Sequence, residues 1–208
     1  PDLVVEVLET VTSTNAVAAD RARAGAQEGT VVVAEHQTSG RGRLDRSWEA
    51  PPRSSLVFSL VLRPTVPPAS WPWLPLLTGY TLAKGLRGRG YAGVAVKWPN
   101  DVLVGERKVA GILVERVDTP SGPAAVVGVG LNVSQQQEEI PVPTGTSLTL
   151  ETGEEPDRTA LLKALLSDLH EAYDAWQVGG PDGAARLRSS YTAACVTVGR
   201  EVRVGLPS

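Results

Sequence analysis

The stretch from Gly93 to Val133 places the strongest limit on what this chain can fold into. It runs GVAVKW, PND, VLV, GERK and VAGILVERV, and then, past a PSGP tip, AAVVGVGLNV: short β-branched runs divided by turns too tight to hold a helix. Strands joined this closely must return antiparallel, because a parallel crossover needs a dozen or more residues. Earlier in the chain LVVEVLET, TVVVAEH and SLVFSLVLRP read as further strands, the last stopped by Pro64. Helices are spelled differently. TSTNAVAADRARAGA is alanine-rich, offers Thr12, Ser13 and Thr14 as N-caps, and ends near Gly25. PPASWPWLPLLTGYTLAKGLRGRG has prolines near its first turns and glycines at its end. Asp157 can cap a long helix whose apolar face runs Leu162, Leu165, Leu166, Leu169, Tyr173 and Trp176, at spacings of three and four. A shorter helix with Pro181 at its first position follows. Ser134 to Pro156 reads as a polar, proline-bearing loop. The fold class is α+β, a mixed, mostly antiparallel sheet with helices packed on it.

A chain of 208 residues suits one large domain, or one domain and a fragment. With 42% hydrophobic and 21% charged residues it is expected to be soluble and globular. A net charge of −3 argues against a nucleic-acid binder, so any cluster of arginines is a local feature. The single cysteine, Cys195, rules out an internal disulfide framework and a cysteine-based zinc site, and it points to a reducing, cytoplasmic setting. No leader and no apolar run of about 18 residues is found, so membrane insertion is not expected. At the end, VTVGREVRV reads as a strand interrupted by a turn, and GLPS leaves it without a partner. The expectation is therefore a main domain over 1–194 and the beginning of a small β domain over 195–208.

Several residues could carry chemistry. GRGR, Gly40 to Arg43, combines backbone that can approach a ligand closely with planar, forked cations, as an anionic ligand requires; a solvated loop is the plain alternative. Three arginines that repel one another and two glycines make Gly40–Ser47 an expected mobile loop. Lys108 opens VAGILVE and is either functional or a solvated strand end. KWPND sets Asn100 and Asp101 on a tight turn that could hold a magnesium ion, or could simply be an Asx-type turn. Asn132 ends GVGLN, where small residues would let a flat ring lie against the strand; a strand-end cap is the plain alternative. Trp48 is either core or a platform for a base. His36 and His170 are too few and too far apart for a metal site. No GxGxxG or P-loop fingerprint is present.

Taken in order, TSTN, AEHQTSGRGR with its following tryptophan, KWPND, RKVAGILVE and GVGLNV resemble the catalytic domain of biotin protein ligases, over Thr12 to Val133. The resemblance implies a domain like that of class II aminoacyl-tRNA synthetases, followed by a small SH3-like barrel. It also implies a two-step reaction. Biotin and ATP, with Mg2+, give biotinyl-5′-adenylate and pyrophosphate, and a lysine of a biotin carboxyl carrier protein or domain then takes the biotinyl group. By position, Ser13, Thr14, Asn15, Gln37, Gly40, Arg41, Gly42, Arg43 and Lys108 match the biotin-binding residues. Arg41, Arg43, Trp48, Asn100, Lys108 and Asn132 match those that bind the nucleotide. Lys108, Arg43 and Asp101 match the catalytic groups, with Asp101 also the candidate metal ligand or base for the acceptor amine. One departure is local: many members follow GRGR with a glycine and more basic charge, whereas this chain has Leu44, Asp45 and Arg46. The first strand begins near Leu3, so the DNA-binding helices of the bifunctional members are not expected. Edge strands could pair two subunits. The competing readings are a lipoate–protein ligase of related fold and, from a different class, an RNA-binding module.

Overall fold

The computed structural model describes residues 3–202. Strand β1 (Val4–Val11) leads through Ser13 into helix α1 (Thr14–Arg23), and β2 (Thr30–Gln37) returns beside β1 in parallel. A two-stranded ribbon follows, β3 (Gly40–Arg41) with β4 (Ser47–Trp48), and then β5 (Ser55–Leu62), whose eight residues are all buried. A 3₁₀ turn over Pro68–Trp73 runs into α2 (Leu74–Gly88). The β-rich middle forms β6 (Val94–Lys97), β7 (Asp101–Val104), β8 (Arg107–Val117) and β9 (Ala124–Asn132), all antiparallel to their neighbours. Last come α3 (Leu148–Thr152), α4 (Arg158–Val178) and α5 (Gly180–Ala194). The seven long strands make one mixed sheet in the order β1-β2-β5-β9-β8-β7-β6, with β1–β2 its parallel pair.

The two faces of this sheet are covered unequally. Helices α2, α4 and α5 lie on one face, over a core that includes Phe58, Leu74, Leu82, Ile112, Leu165 and Tyr173. Every residue read as the apolar face of α4 is buried there. Its N-cap, Asp157, accepts hydrogen bonds from the backbone N–H groups of Thr159 (2.8 Å) and Ala160 (3.0 Å). On the other face lies α1, its Ala18, Ala19 and Ala22 packed on Val32, Val61, Val117 and Val126. Alanine-rich sequence explains the close approach. Beyond α1 that face carries Gly111, Gly128 and Gly130 beside Ser59, Asp101 and Glu115, with Val57 and Leu113 among them.

Three expectations need correction. The Ser134–Pro156 stretch is not structureless: it contains a 3₁₀ turn (Gln137–Glu139) and α3, capped by Ser147, whose hydroxyl accepts from Leu150 N–H (3.2 Å). The C-terminal VTVGREVRV does not begin a strand, since Val196–Gly199 form a turn. Cys195 still bridges to Val96, and Val196 N–H donates to the Val96 carbonyl (2.9 Å), so these residues cap the sheet edge at β6. Residues 203–208, and with them the rest of the expected second domain, lie outside the described residues.

The third correction concerns GRGRLDRSW, which is a hairpin rather than an open loop. Arg46 N–H donates to the Arg43 carbonyl (3.3 Å), and the residues between them, Leu44 and Asp45, have φ of 55° and 56°. Two positive φ values in the middle of the turn are what a type I′ hairpin demands. Aspartate tolerates this region and leucine does not, at a cost of roughly 1–2 kcal/mol. Glycine would be relaxed at either position. Replacing Leu44-Asp45 by Asn-Gly should tighten the ribbon and slow tryptic cleavage after Arg43 and Arg46 several-fold. Cleavage at the unchanged rate would show that the turn does not limit the ribbon's opening.

Candidate active site

Strand register lays out the floor. Asp101, Gly111, Gly130 and Val57 form one row across four strands, and Leu113, Gly128 and Ser59 form the next. The glycines make this floor flat enough for other groups to lie on it. Trp48 does so: a Cβ on Gly130 would come 2.5 Å from the indole, and one on Gly111 3.2 Å from it. The indole N–H is buried there without a hydrogen-bond partner. On the next row, a Cβ on Gly128 would overlap Asn15 Oδ1.

Lys108 reaches this face through an irregularity. The register of β7 with β8 shifts between Val102 and Leu103, so that the extra residue on β8 turns Lys108 onto the side of Gly111. Its Nζ lies 2.6 Å from Asp101 Oδ1 and 5.6 Å from the Trp48 ring centroid. Its backbone is held from outside the sheet, donating to the Thr144 carbonyl (2.7 Å) and accepting from Thr146 N–H (2.8 Å). The KWPND turn that carries Asp101 is tied down in turn. Asn100 Nδ2 donates to the Ile112 carbonyl (2.8 Å), and Ile112 N–H donates back to the Asn100 carbonyl (2.9 Å). Behind the turn, Trp98 N–H donates to the Thr197 hydroxyl (3.0 Å). Burial pushes the Cys195 thiol up, but hydrogen bonds with Thr197, Tyr191 and Trp98 outweigh it and leave the thiol below its ordinary value. Tyr191 is pushed up, by burial first and by Cys195 second, and so stays protonated.

The start of α1 supplies a polar cluster at the other end. Ser13 sits at the N-cap position, buried, yet its hydroxyl makes no capping bond. Thr14 donates to Gln37 Oε1 through both its N–H (2.8 Å) and its hydroxyl (3.1 Å). Ser59, wholly buried, lies 2.8 Å from the Thr14 hydroxyl and 2.6 Å from Asn15 Oδ1. Asn15 Nδ2 donates to Glu115 Oε2 (2.8 Å) and to the Leu113 carbonyl (3.3 Å). The ribbon β3–β4 passes over this region. Arg41 pairs with Glu115 (2.8 Å), while Gly40 is pressed against the Trp48 backbone and the Gln37 amide. Between the ribbon and β8 is a cavity of about 500 Å³ lined by Arg41, Gly42, Arg43, Arg46, Leu113 and Glu115, among others.

The structure therefore gathers Ser13, Thr14, Asn15, Gln37, Gly40 and Arg41 around one polar cluster, and Asp101, Lys108 and Trp48 around the glycine floor. Gly42 and Arg43 stand at the ribbon, facing the cavity. Asn100 and Asn132 each have their side-chain amide engaged with a backbone carbonyl. Asn100 uses its amide to hold the turn. Asn132 is buried, donates from Nδ2 to the Thr146 carbonyl (2.9 Å), and accepts from Gln135 Nε2 (2.9 Å), so it secures the segment that clamps Lys108. Asp101 is paired with a cation, and among the described residues no three His, Cys, Asp or Glu side chains gather as metal ligands. A magnesium ion here would rest chiefly on substrate phosphates, a common arrangement for that ion. Sequence reasoning missed Ser59, Glu115 and the Thr144–Thr146 clamp. Two signals were there to be read: Ser59 is polar amid an apolar strand, and Glu115 closes the motif RKVAGILVE.

Residues 7–132 match the model of the biotin/lipoate A/B protein ligase family. The chain is 40% identical to the biotin–[acetyl-CoA-carboxylase] ligase of Mycobacterium tuberculosis, over 98% of its own length and 75% of the relative's. It is 37% identical to the bifunctional ligase/repressor BirA of Escherichia coli, over 85% of its length but only 55% of that protein's. The chain thus spans little more than half of the bifunctional relatives. Among solved structures, the biotin protein ligase of Aquifex aeolicus in complex with biotin and ATP superposes with a TM-score of 0.78 at 29% identity, covering 92% of this chain and 78% of that one. The chain belongs to the biotin/lipoate A/B protein ligase family, and within it to the biotin protein ligases.

Proposed function

We propose that this chain joins biotin to ATP, giving biotinyl-5′-adenylate and pyrophosphate, and passes the biotinyl group to a lysine of a carboxylase carrier domain. The observation that carries this reading is the placing of Lys108 on a glycine-floored sheet face, beside Trp48 and close to a ribbon bearing Arg41, Arg43 and Arg46.

The first step brings a carboxylate against a polyphosphate, and their repulsion is its main electrostatic obstacle. Lys108, held by Asp101, is a fixed cation that can bridge the carboxylate and the α-phosphate. Arg41 and Arg43 supply further charge from the ribbon, and the glycine N–H groups can approach the anion closely. Trp48 offers an aromatic face to the nucleotide base. In the second step the acceptor amine must lose a proton, and Asp101 is the carboxylate nearest to Lys108 that can take it.

The head-group end discriminates between the acids handled by this family. Asn15, Thr14, Gln37 and Ser59 form a hydrogen-bonding wall. A ureido ring, with two N–H donors and one carbonyl, can match it. The dithiolane of lipoate would leave it unmatched, and buried polar groups left unpaired cost affinity.

Lys108→Ala should lower adenylate formation by about 10²–10³-fold. Its melting temperature should stay near wild type, because the removed ammonium is partly exposed. Pyrophosphate release at the wild-type rate would remove Lys108 from the chemistry. Gly128→Ala drives a methyl group into Asn15 Oδ1. Biotin affinity measured by calorimetry should therefore fall at least about tenfold, as expected when a charge-assisted network is broken. Trp48→Ala should weaken ATP binding by about 1–3 kcal/mol, the usual worth of stacking on a base, and leave biotin binding nearly unchanged. An equal loss for both ligands would point to collapse of the floor instead.

A further inference from the structure

The motif RKVAGILVE ends on Glu115, and none of the chemistry above gives that carboxylate a task. We propose that Glu115 is a positioning residue that sets the hydrogen-bond polarity of the head-group pocket by fixing the Asn15 amide as an acceptor. The inference rests on the biotin reading.

Glu115 stands on the α1 side of the sheet, one row beyond Leu113 and Gly128. A single oxygen, Oε2, accepts from Asn15 Nδ2 and from the Arg41 guanidinium, each at 2.8 Å. The second acceptor beside Asn15 Nδ2 is the Leu113 carbonyl, at 3.3 Å. Carboxylate and carbonyl oxygens only accept, so both hydrogens of the Asn15 amide must face them. Turned over, the amide would set Oδ1 against both oxygens, an arrangement of like partial charges. Oδ1 is thereby forced toward the Ser59 hydroxyl (2.6 Å) and the bare Cα of Gly128. An amide oxygen has two lone pairs, and Ser59 takes one. What remains for a ligand is a single acceptor.

Gln37 is oriented the other way. Its Oε1 is taken by the N–H and hydroxyl of Thr14, which leaves Nε2 beside Gly40 as a donor. A fixed acceptor and a fixed donor suit a cyclic urea, which presents N–H and C=O together. Glu115 ties α1 to the ribbon, because the oxygen that orients Asn15 also holds Arg41 at the ribbon's base. With its side chain about a third exposed, it contributes through orientation more than through stability.

The test compares wild type, Glu115→Gln and Glu115→Asp by calorimetry and by melting temperature. The ligands are biotin and the two cyclic-carbamate analogues in which one or the other ureido N–H is replaced by oxygen. Wild type should prefer biotin over at least one carbamate by about 100-fold or more, because a site built to accept an N–H rejects an isostere that lacks it. Glutamine keeps the size of Glu115 but adds a donor, and it frees the Asn15 amide to turn. Glu115→Gln should bind biotin about 10–100-fold more weakly, the worth of a bond to a charged group, and its preference over that carbamate should shrink to less than about tenfold. Its ATP affinity should stay within a few-fold of wild type. Glu115→Asp, still acceptor-only, should keep the preference even where affinity falls, and it also serves if the glutamine variant melts early. Unchanged preference in Glu115→Gln, or equal loss in both variants, would overturn the inference. Failure of wild type to bind biotin would overturn the functional reading and this inference with it.

Discussion

The architecture depends on a sheet whose two faces do different work, and on three glycines that keep one of them bare. Gly111, Gly128 and Gly130 lie on adjacent central strands, where a side chain at any of them would meet Lys108 and Trp48, Asn15, or the Trp48 ring. Glycine inside a strand costs about 0.5–1 kcal/mol in conformational entropy relative to alanine. The sheet can carry that cost three times because its other face is packed against α2, α4 and α5. Stability is concentrated on one side, and the other is left free for close approach.

Charge follows the same division. The chain carries a net −3, yet the ribbon and the floor beside it bring together Arg41, Arg43, Arg46 and Lys108. Two of these cations are matched by carboxylates on the floor, Lys108 by Asp101 and Arg41 by Glu115. Pairs this exposed add little to folding stability, since water competes for both partners. Their effect is directional. Each fixes where a cation points, while Arg43 is left at the tip of the ribbon.

Sequence reasoning read the scaffold closely wherever a local rule was strong. Alternating β-branched runs gave the strands, Asp157 gave the start of α4, and the three-four spacing from Leu162 to Trp176 gave its buried face. It did less well where a local pattern was right but its context was not. Asn100 and Asn132 match nucleotide-binding positions by their place in KWPND and GVGLN, but the backbone carbonyls that their amides bond, at Ile112 and Thr146, are not legible in those motifs. The GRGRLDR stretch has the composition of a loop, yet pairing between Gly40 and Trp48 makes it a ribbon.

The amino-acid sequence by itself determined the α+β class, the family, and most of the residues that meet at the candidate site, because strand periodicity, helix caps and ordered short motifs are written along the chain. Tertiary structure alone decided how those residues face one another. Asn15 and Glu115 are 100 residues apart, Arg41 and Glu115 are 74 apart, and no local signal announces either contact. Lys108 looks out of the sheet because of a bulge against β7, and its backbone is held by Thr144 and Thr146 from a segment that reads as plain loop. Register, bulges and long-range hydrogen bonds are properties of strands once paired, and a pairing partner is not encoded in the run of residues on either side of it.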